Sequence, residues 1–526
     1  MYKAEALFDT TLSADIDSVQ ITIPVSDINK FPSDFPNVAT IINPSTEELE
    51  TIEYTGKSGN ELTGVTRGVE GTAQPWSNGD IIGRYHTAKE QNDLVNDYVS
   101  HRDNTNNPHN TTALKVDYDN SKSSYTATNV QDIIDEIAGF SNTHGIKVTD
   151  TGSDFVVERV GDDVTQADFD TISPWQDMRR CNLADDLTVN AYYGDPTFAY
   201  DGSNGQVMVE IPQFYWKAYR LSDTEIIYLV SDIQRDGFEL YPAFKSDEGT
   251  YENLYIGAFE ATLYDNSAGT YVGDGVTYDY TNDVMASVAG YQPISGNSDN
   301  LDITQARQLA ENRGSGWSLQ YYTAREAINL LFYIEYADFN SQSILSGGIT
   351  NLDSGTGNHS QNTGHTTGLG NNSGEVSITP ENGATGAATT YPFSYRGIEN
   401  YWGNIWEFVD GINIRDNEPY ISNNDFQSDL FSEPYSSLGR TLPSSNGYGS
   451  GQVLDTDIGL SSLPISLNGS SSSYYCDYYY QNTGDRIAQV GAYWADGSYS
   501  GLAYWYLVDV SATSYRVISS RCFAKS

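Results

Sequence analysis

Three cysteines, six histidines and 71 carboxylates are the residues of this 526-residue chain whose types could do chemistry. Their spacing argues against most of it. Cys181, Cys476 and Cys522 are an odd number spread along the chain, which makes neither a disulfide framework nor a CxxC metal site. No GxSxG, HExxH or glycine-rich phosphate loop occurs. No pair of acids is singled out for acid–base work in a sugar cleft. His101 and His109, in the polar string HRDNTNNPHN, could bind a metal on a trimer axis, although histidines in such strings are ordinarily solvated. The chain is therefore expected not to be an enzyme and to require no cofactor.

What remains is the chemistry of contact. In GAYWADGSYSGLAYWYLVDVSATSYRVISSRC, residues 491–522, a frame of Trp494, Gly497, Gly501, Leu502, Trp505, Leu507 and Ile518 alternates with side chains that share no size, charge or polarity. These are Tyr493, Ala495, Asp496, Tyr499, Tyr504, Tyr506, Val508, Asp509, Thr513, Tyr515 and Val517, and Tyr474, Tyr475, Asp477 and Tyr478 upstream have the same palette. Trp505 and Leu507 alternate with Tyr504, Tyr506 and Val508, the period of a half-buried strand. The expectation is one exposed face carrying the arbitrary residues, with the frame buried beneath. Tyrosine suits such a face, since it offers large contact area and a hydroxyl at the cost of two torsions. Residues 471–526 hold ten of the 40 tyrosines, and their four Asp balance three Arg and one Lys, whereas the whole chain carries −44. That acidity disfavours nucleic acid and anionic membrane surfaces as partners. No apolar run is long enough for membrane insertion. The start, MYKAEALFDTT, lacks the basic-then-apolar pattern of a signal peptide, so synthesis and folding in a cytoplasm are expected.

The elements that would position these residues divide the chain into several domains. Residues 1–92 are expected to be β-rich, with ETIEYTGKSGNELTGVTRGVEGT giving strand, turn at Lys57–Asn60, and strand. Residues 93–148 are expected to form a short helical neck. There Val130, Ile133, Ile134 and Ile137 make an apolar stripe too short to stand alone, so it predicts a homotrimer. Residues 149–526 carry strand patterns at VMVEIPQFYWKAYR and EIIYLVSDI and helical ones at TQARQLAENRG and TAREAINLLFYIEYADF, with Thr323 as N-cap. The stretch 346–390, rich in Gly, Ser, Thr and Asn, is expected to be a long loop, functional or mobile. The class predicted is α+β, multidomain.

Several strings resemble known families. Tyr54-Thr55, Leu62 to Gly68, Gly71-Thr72-Ala73, Trp76 and Gly79 resemble the N-terminal modules of phage tail-fibre and baseplate proteins, and Asn-Pro-His-Asn resembles tail-fibre necks. YRGIENYWGNIWEFVDGINI, residues 395–414, resembles the GN-x-W-E-[WF] signature of the formylglycine-generating-enzyme branch of the C-type-lectin fold. Arg521 matches that family's closing GFR strand, although Ser520 and Cys522 flank it and the family's redox cysteine pair is lacking. The resemblance implies a calcium site formed by the Asn400 and Glu407 side chains and the Gly403 and Ile405 carbonyls. Without a metal, a buried Glu407 would need a basic partner such as Arg396. The 473–522 region resembles the variable regions of diversity-generating-retroelement proteins, whose adenine mutagenesis makes Tyr, Asp, Ser, Ala, Thr and Val but not Lys, Glu, Gln, Met or Trp.

Together these readings imply a virion protein of the phage tail: a receptor-binding adhesin with a C-type-lectin-like C-terminal domain, attached to other tail or baseplate proteins by its N-terminal part. Its partner would be a host cell-surface glycan or protein. The alternative is a structural baseplate or tail-fibre component whose tyrosine-rich face packs on another virion protein.

Overall fold

The computed structural model describes residues 9–85 and 143–526, apart from residues 47, 163, 247–248, 298, 354, 387–388, 452 and 456–458 and the side chains of 453–455. The Val130–Ile137 stripe, His101 and His109 lie outside the described residues. The chain divides into two compact units.

In the N-terminal unit, five strands form an antiparallel sheet in the order Thr10–Thr11, Ile81–Gly83, Asn37–Ile42, Leu49–Tyr54, Thr66–Gly71. A second sheet joins Thr22–Pro24, Glu61–Thr63 and Gly56–Ser58, with Gly59 at φ +57° turning the last two strands as the sequence predicts. Ile23, Ile41, Ile52, Tyr54, Leu62, Trp76 and Ile82 fill the core between them. Glu50 lies buried at its edge. It accepts both forks of Arg67 (2.7 and 2.8 Å), the Gly68 amide (2.8 Å) and the Trp76 indole (2.8 Å). Burial raises the pKa of such a group, but these donors overcome it, and the Glu50 carboxyl lies below its ordinary range. Arg67, Gly68 and Trp76 of the tail-fibre-like string are thus the shell of one buried carboxylate.

The C-terminal unit holds three larger sheets. One runs Phe155–Gly161, His144–Asp150, Glu225–Ser231, Tyr215–Arg220, Glu239–Leu240. A second, of six strands, runs Val189–Tyr192, Arg179–Leu183, Gln206–Pro212, Asn253–Gly257, Cys522–Lys525, Trp317–Leu319, so the chain's last strand is interior. The third centres on the long strand Trp406–Arg415, which pairs antiparallel with Glu418–Ile421 and Asp485–Val490; beyond the latter follow Trp505–Leu507, Tyr478–Gln481 and Gly447–Tyr448. Ile518–Ser519 adds in parallel to Trp406–Glu407.

Helix is scarce among the described residues: α1 (Ile303–Glu311), α2 (Tyr322–Tyr336) and the single turn α3 (Ser341–Ile344). The protein is β-rich, which overturns the α+β class. The strands that sequence reading missed are mostly two to four residues long, too short to show a period, and long-range pairing alone defines them. The helical neck is corrected too. Residues 86–142 lie outside the described residues, and the strand His144–Asp150, which begins inside the expected neck, has Ile146 opposite Tyr228 and Val148 opposite Ile226. α2 is buried on every turn, between apolar Ile328, Leu331 and Phe332 and polar Arg325, Glu326 and Asn329. It begins after Tyr321, and Thr323 bonds instead to Asn423 (2.5 Å), so the expected cap is not used.

The 346–390 stretch is loop with two short elements, as its composition predicts, but it is packed rather than loose. Ser360, Gln361, Thr363 and Thr366 are buried. Its amides serve a buried acid, with Gly364 N and Thr366 N each 2.6 Å from Glu399. A segment with few large apolar side chains can therefore sit inside by supplying donors.

Candidate functional site

The strand Trp406–Arg415 puts two adjacent residues to opposite uses. Glu407 points into a buried ionic layer. Its Oε1 accepts both Nε and Nη2 of Arg521 (2.9 and 2.6 Å), and its Oε2 accepts Gln320 Nε2 (2.5 Å). Arg521, fully buried, also donates to the carbonyls of Gly257, Glu399 and Asn400. Glu260 lies in the same layer. Its burial, then the Glu399 and Glu407 charges, push its carboxyl up to about 8 against the opposing Arg521, and Asn404 donates to it at 2.9 Å.

This arrangement answers the calcium expectation. Both oxygens of Glu407 are taken, one of them by a guanidinium, and the Gly403 carbonyl accepts the Ile405 amide (2.8 Å). Asn400 turns its oxygen to the Phe393 amide. Asn400, Gly403, Ile405 and Glu407 therefore do not fit calcium: a resident cation side chain already neutralises the only carboxylate of the set. The basic partner is Arg521, not Arg396, which pairs instead with Glu335 (2.7 Å).

Trp406 points the other way, into a layer of rings. It stacks on Tyr506 (centroids 4.3 Å apart, 28°) and meets Tyr493 edge-on at 5.1 Å. Tyr506 continues to Tyr480 (5.4 Å), Tyr480 to Tyr478 (4.6 Å), and Tyr478 to Tyr499 (4.5 Å) and Tyr448 (5.0 Å). The sheet dictates this. Tyr480 lies opposite Tyr506 and Tyr479 opposite Trp505, so Tyr478, Tyr480 and Tyr506 share one face while Tyr479, Trp505 and Leu507 fill the core behind it. Trp494, Leu502, Trp505, Leu507 and Ile518 are all buried, as the frame requires. Trp505 also donates to Ser462 (3.0 Å).

Asp496 sits at the edge of the layer, where it accepts the Trp406 indole N–H (3.1 Å) and the Tyr493 amide (3.0 Å). Burial raises its carboxyl to about 6, with those two donors opposing. It thus fixes the Trp406 ring, and it takes up its proton at a higher pH than an ordinary aspartate does.

The structure sorts the predicted contact residues. Tyr478, Tyr493, Ala495, Asp496 and Tyr506 are half-buried and Tyr499 is 37 % exposed, together in this layer. Asp509, half-buried, is tied by Gln489 (3.0 Å) beside them, with Val508 preceding it. Thr513 closes one turn and the exposed Tyr515 opens the next, and no ring pair among the described residues joins Tyr515 to the layer. Five others are corrected: Tyr474, Tyr475, Asp477, Tyr504 and Val517 are buried.

The physical reason is backbone geometry. Tyr474 and Cys476 both have φ +62°, so alternation fails there, and the segment anchors inward. Tyr474 bonds Asp154 and Asp150, and Tyr475 packs on Phe155 and Phe339. Asp477 accepts the Ala503 amide (2.8 Å) and fills the space where a Cβ at Gly501 (φ +154°) would stand. Tyr504 lies in the turn before its strand, where the strand period does not apply.

Three members of the layer were missed. Tyr480 could have been found, two residues from Tyr478 on one strand. Trp406 carries no contact signal in the sequence beyond the GN-x-W-E string, and Tyr448 is placed solely by its pairing with Tyr478.

No protein-family model and no curated protein sequence matches this chain. Among solved structures it is similar to one titled "Major Tropism Determinant P3c Variant", at 12% identity, over 73% of this chain and 72% of that one, with a TM-score of 0.23. A superposition that loose carries no weight for fold or function, and the ring layer stands on its own residues.

Proposed function

We propose that this protein is a phage tail adhesin that attaches the virion to a host cell-surface receptor through the ring layer of its C-terminal unit. The supporting observation is the continuous run Tyr448–Tyr478–Tyr480–Tyr506–Trp406–Tyr493, with Tyr499 beside it, on a rigid and fully buried frame. Half-exposed tyrosines on a stiff sheet are the chemistry of a contact surface, since large amphipathic rings already held by their neighbours lose little entropy on binding. A few such rings ordinarily dominate the affinity. Host range would then be set by the side chains of this layer, with the N-terminal unit joined to other tail proteins and the protein acting as a homotrimer.

The test is adsorption. Virions carrying Tyr480→Ser, Tyr499→Ser and Tyr506→Ser together are expected to assemble normally and to lose host adsorption by more than tenfold. Particles that fail to assemble would favour the alternative, a face packed on another virion protein. Normal adsorption would remove this face as the receptor site.

A further inference from the structure

A concave site lies elsewhere in the C-terminal unit, on the six-stranded sheet rather than under the ring layer. It is a cleft of about 660 Å³, within the size range of small-ligand sites. Its walls come from the strand Val189–Tyr192, the turn Gly202–Gln206, the hairpin strands Thr262–Asp265 and Thr270–Val272, and the residues just after α1. We propose that this cleft binds a neutral carbohydrate.

The lining chooses that class. Asn190, Asn204 and Asn266 each spend an amide N–H inside the protein, on the carbonyls of Asn204, Thr197 and Asn282 respectively. Their side-chain oxygens accept no hydrogen bond from described residues and are left to face the cleft's solvent, as is the Tyr264 hydroxyl. Amide oxygens held in place by their own N–H groups are fixed acceptors, which vicinal hydroxyls satisfy well.

One wall is aromatic. Tyr264 and Tyr271 meet at 4.9 Å and 62°, and the Tyr271 hydroxyl is pinned by Gln206 (3.2 Å) and the Gly202 carbonyl (3.3 Å). Gly202 is required there, because a Cβ would stand 2.3 Å from that hydroxyl. A pinned ring offers a platform for the C–H face of a sugar.

Charge excludes the competing ligands. The one cation in the lining, Arg313, is spent on Asp185 and on the Met285 carbonyl (2.9 and 2.7 Å), so a phosphate or carboxylate would find no free partner. Asp185, the only carboxylate in the lining, is engaged by the same pair, so a cationic ligand gains little.

The experiment is a titration of the full chain by calorimetry and saturation-transfer NMR. Its probes are neutral oligosaccharides ending in glucose, galactose, mannose or an N-acetylhexosamine, with sialylated and sulfated probes alongside. Saturable binding of at least one neutral probe is expected. The double variant Asn190→Ala, Asn266→Ala should weaken it at least tenfold with the melting temperature kept, and Ser203→Trp, which fills the cleft from an exposed position, should abolish it. The pair Tyr499→Ser, Tyr506→Ser should bind as wild type, which separates this site from the ring layer. Binding of no neutral probe, a preference for acidic probes, or loss in the ring-layer variant but not in the cleft variants would each overturn the proposal.

Discussion

Trp406 and Glu407 are neighbours in the chain and opposites in the fold. Glu407 enters a buried ionic layer in which each of its own oxygens has a specific donor, Arg521 on one and Gln320 on the other. Trp406 enters a layer of rings joined by contacts of 4.3 to 5.4 Å along its main run, where neighbours differ in orientation and could differ in kind. The contrast teaches how one strand can be exacting on one side and permissive on the other. Charge in a buried layer is worth what its partners make it worth, so substitution there is all-or-none. Ring contacts at a half-exposed surface are worth about 0.5–1.5 kcal/mol each and can be exchanged.

The largest expected effect breaks the exacting side. Glu407→Ala leaves a fully buried guanidinium without its carboxylate, and should cost about 3–5 kcal/mol in denaturant unfolding of the C-terminal unit. Because Arg521 already holds that carboxylate, a calcium chelator should leave the wild-type melting temperature where it is; a clear fall would return a metal to the site.

Trp505→Ala comes next and tests the frame behind the rings. Its cost, about 3–5 kcal/mol, is that of a cavity and not of a stranded charge, so Trp505→Phe should recover much of the loss. A variant as stable as wild type would show that the frame is not what holds the face.

A smaller effect depends on pH and has opposite signs in the two units. Glu50 has a lowered pKa in the folded state, so its contribution is present above its ordinary value of 4.5 and is lost as pH falls through the lowered one. Asp496 is raised from 3.8 to about 6, so it weakens the fold above that pH and ceases to do so as pH falls toward 4. Wild type should therefore gain melting temperature relative to Asp496→Asn as pH drops from about 6 to about 4, whereas Glu50→Gln should be most damaging near neutrality. A wild-type-minus-variant difference flat across that window would show that Asp496 is not poised by burial.

The smallest effect is on the permissive side. Tyr499→Ser and Tyr515→Ser, at exposed positions, should each move stability by under ~0.5 kcal/mol in a melting curve. Tyr515 stands outside the ring layer, so Tyr515→Ser should also leave adsorption nearly unchanged, whereas Tyr499→Ser should weaken it.

The amino-acid sequence by itself determined what depends on local spacing. The Trp505–Leu507 alternation, the buried frame, the Gly59 turn, the helical α1 and α2 and the loop character of 346–390 were all legible, because period and turn chemistry act between near neighbours. It also showed that Glu407 must be neutralised. Tertiary structure alone decided by whom: Arg521 lies 114 positions away, and Arg396, far nearer in the chain, is held by Glu335. It decided, too, that Tyr474, Tyr475, Asp477 and Tyr504 face inward, through positive φ angles and turns that break the alternation. Trp406 and Tyr448 entered the ring layer only through strand pairings remote in sequence. Local propensity is a property of a few residues, whereas the neighbour of a buried charge or an exposed ring is chosen by the packing of the whole chain.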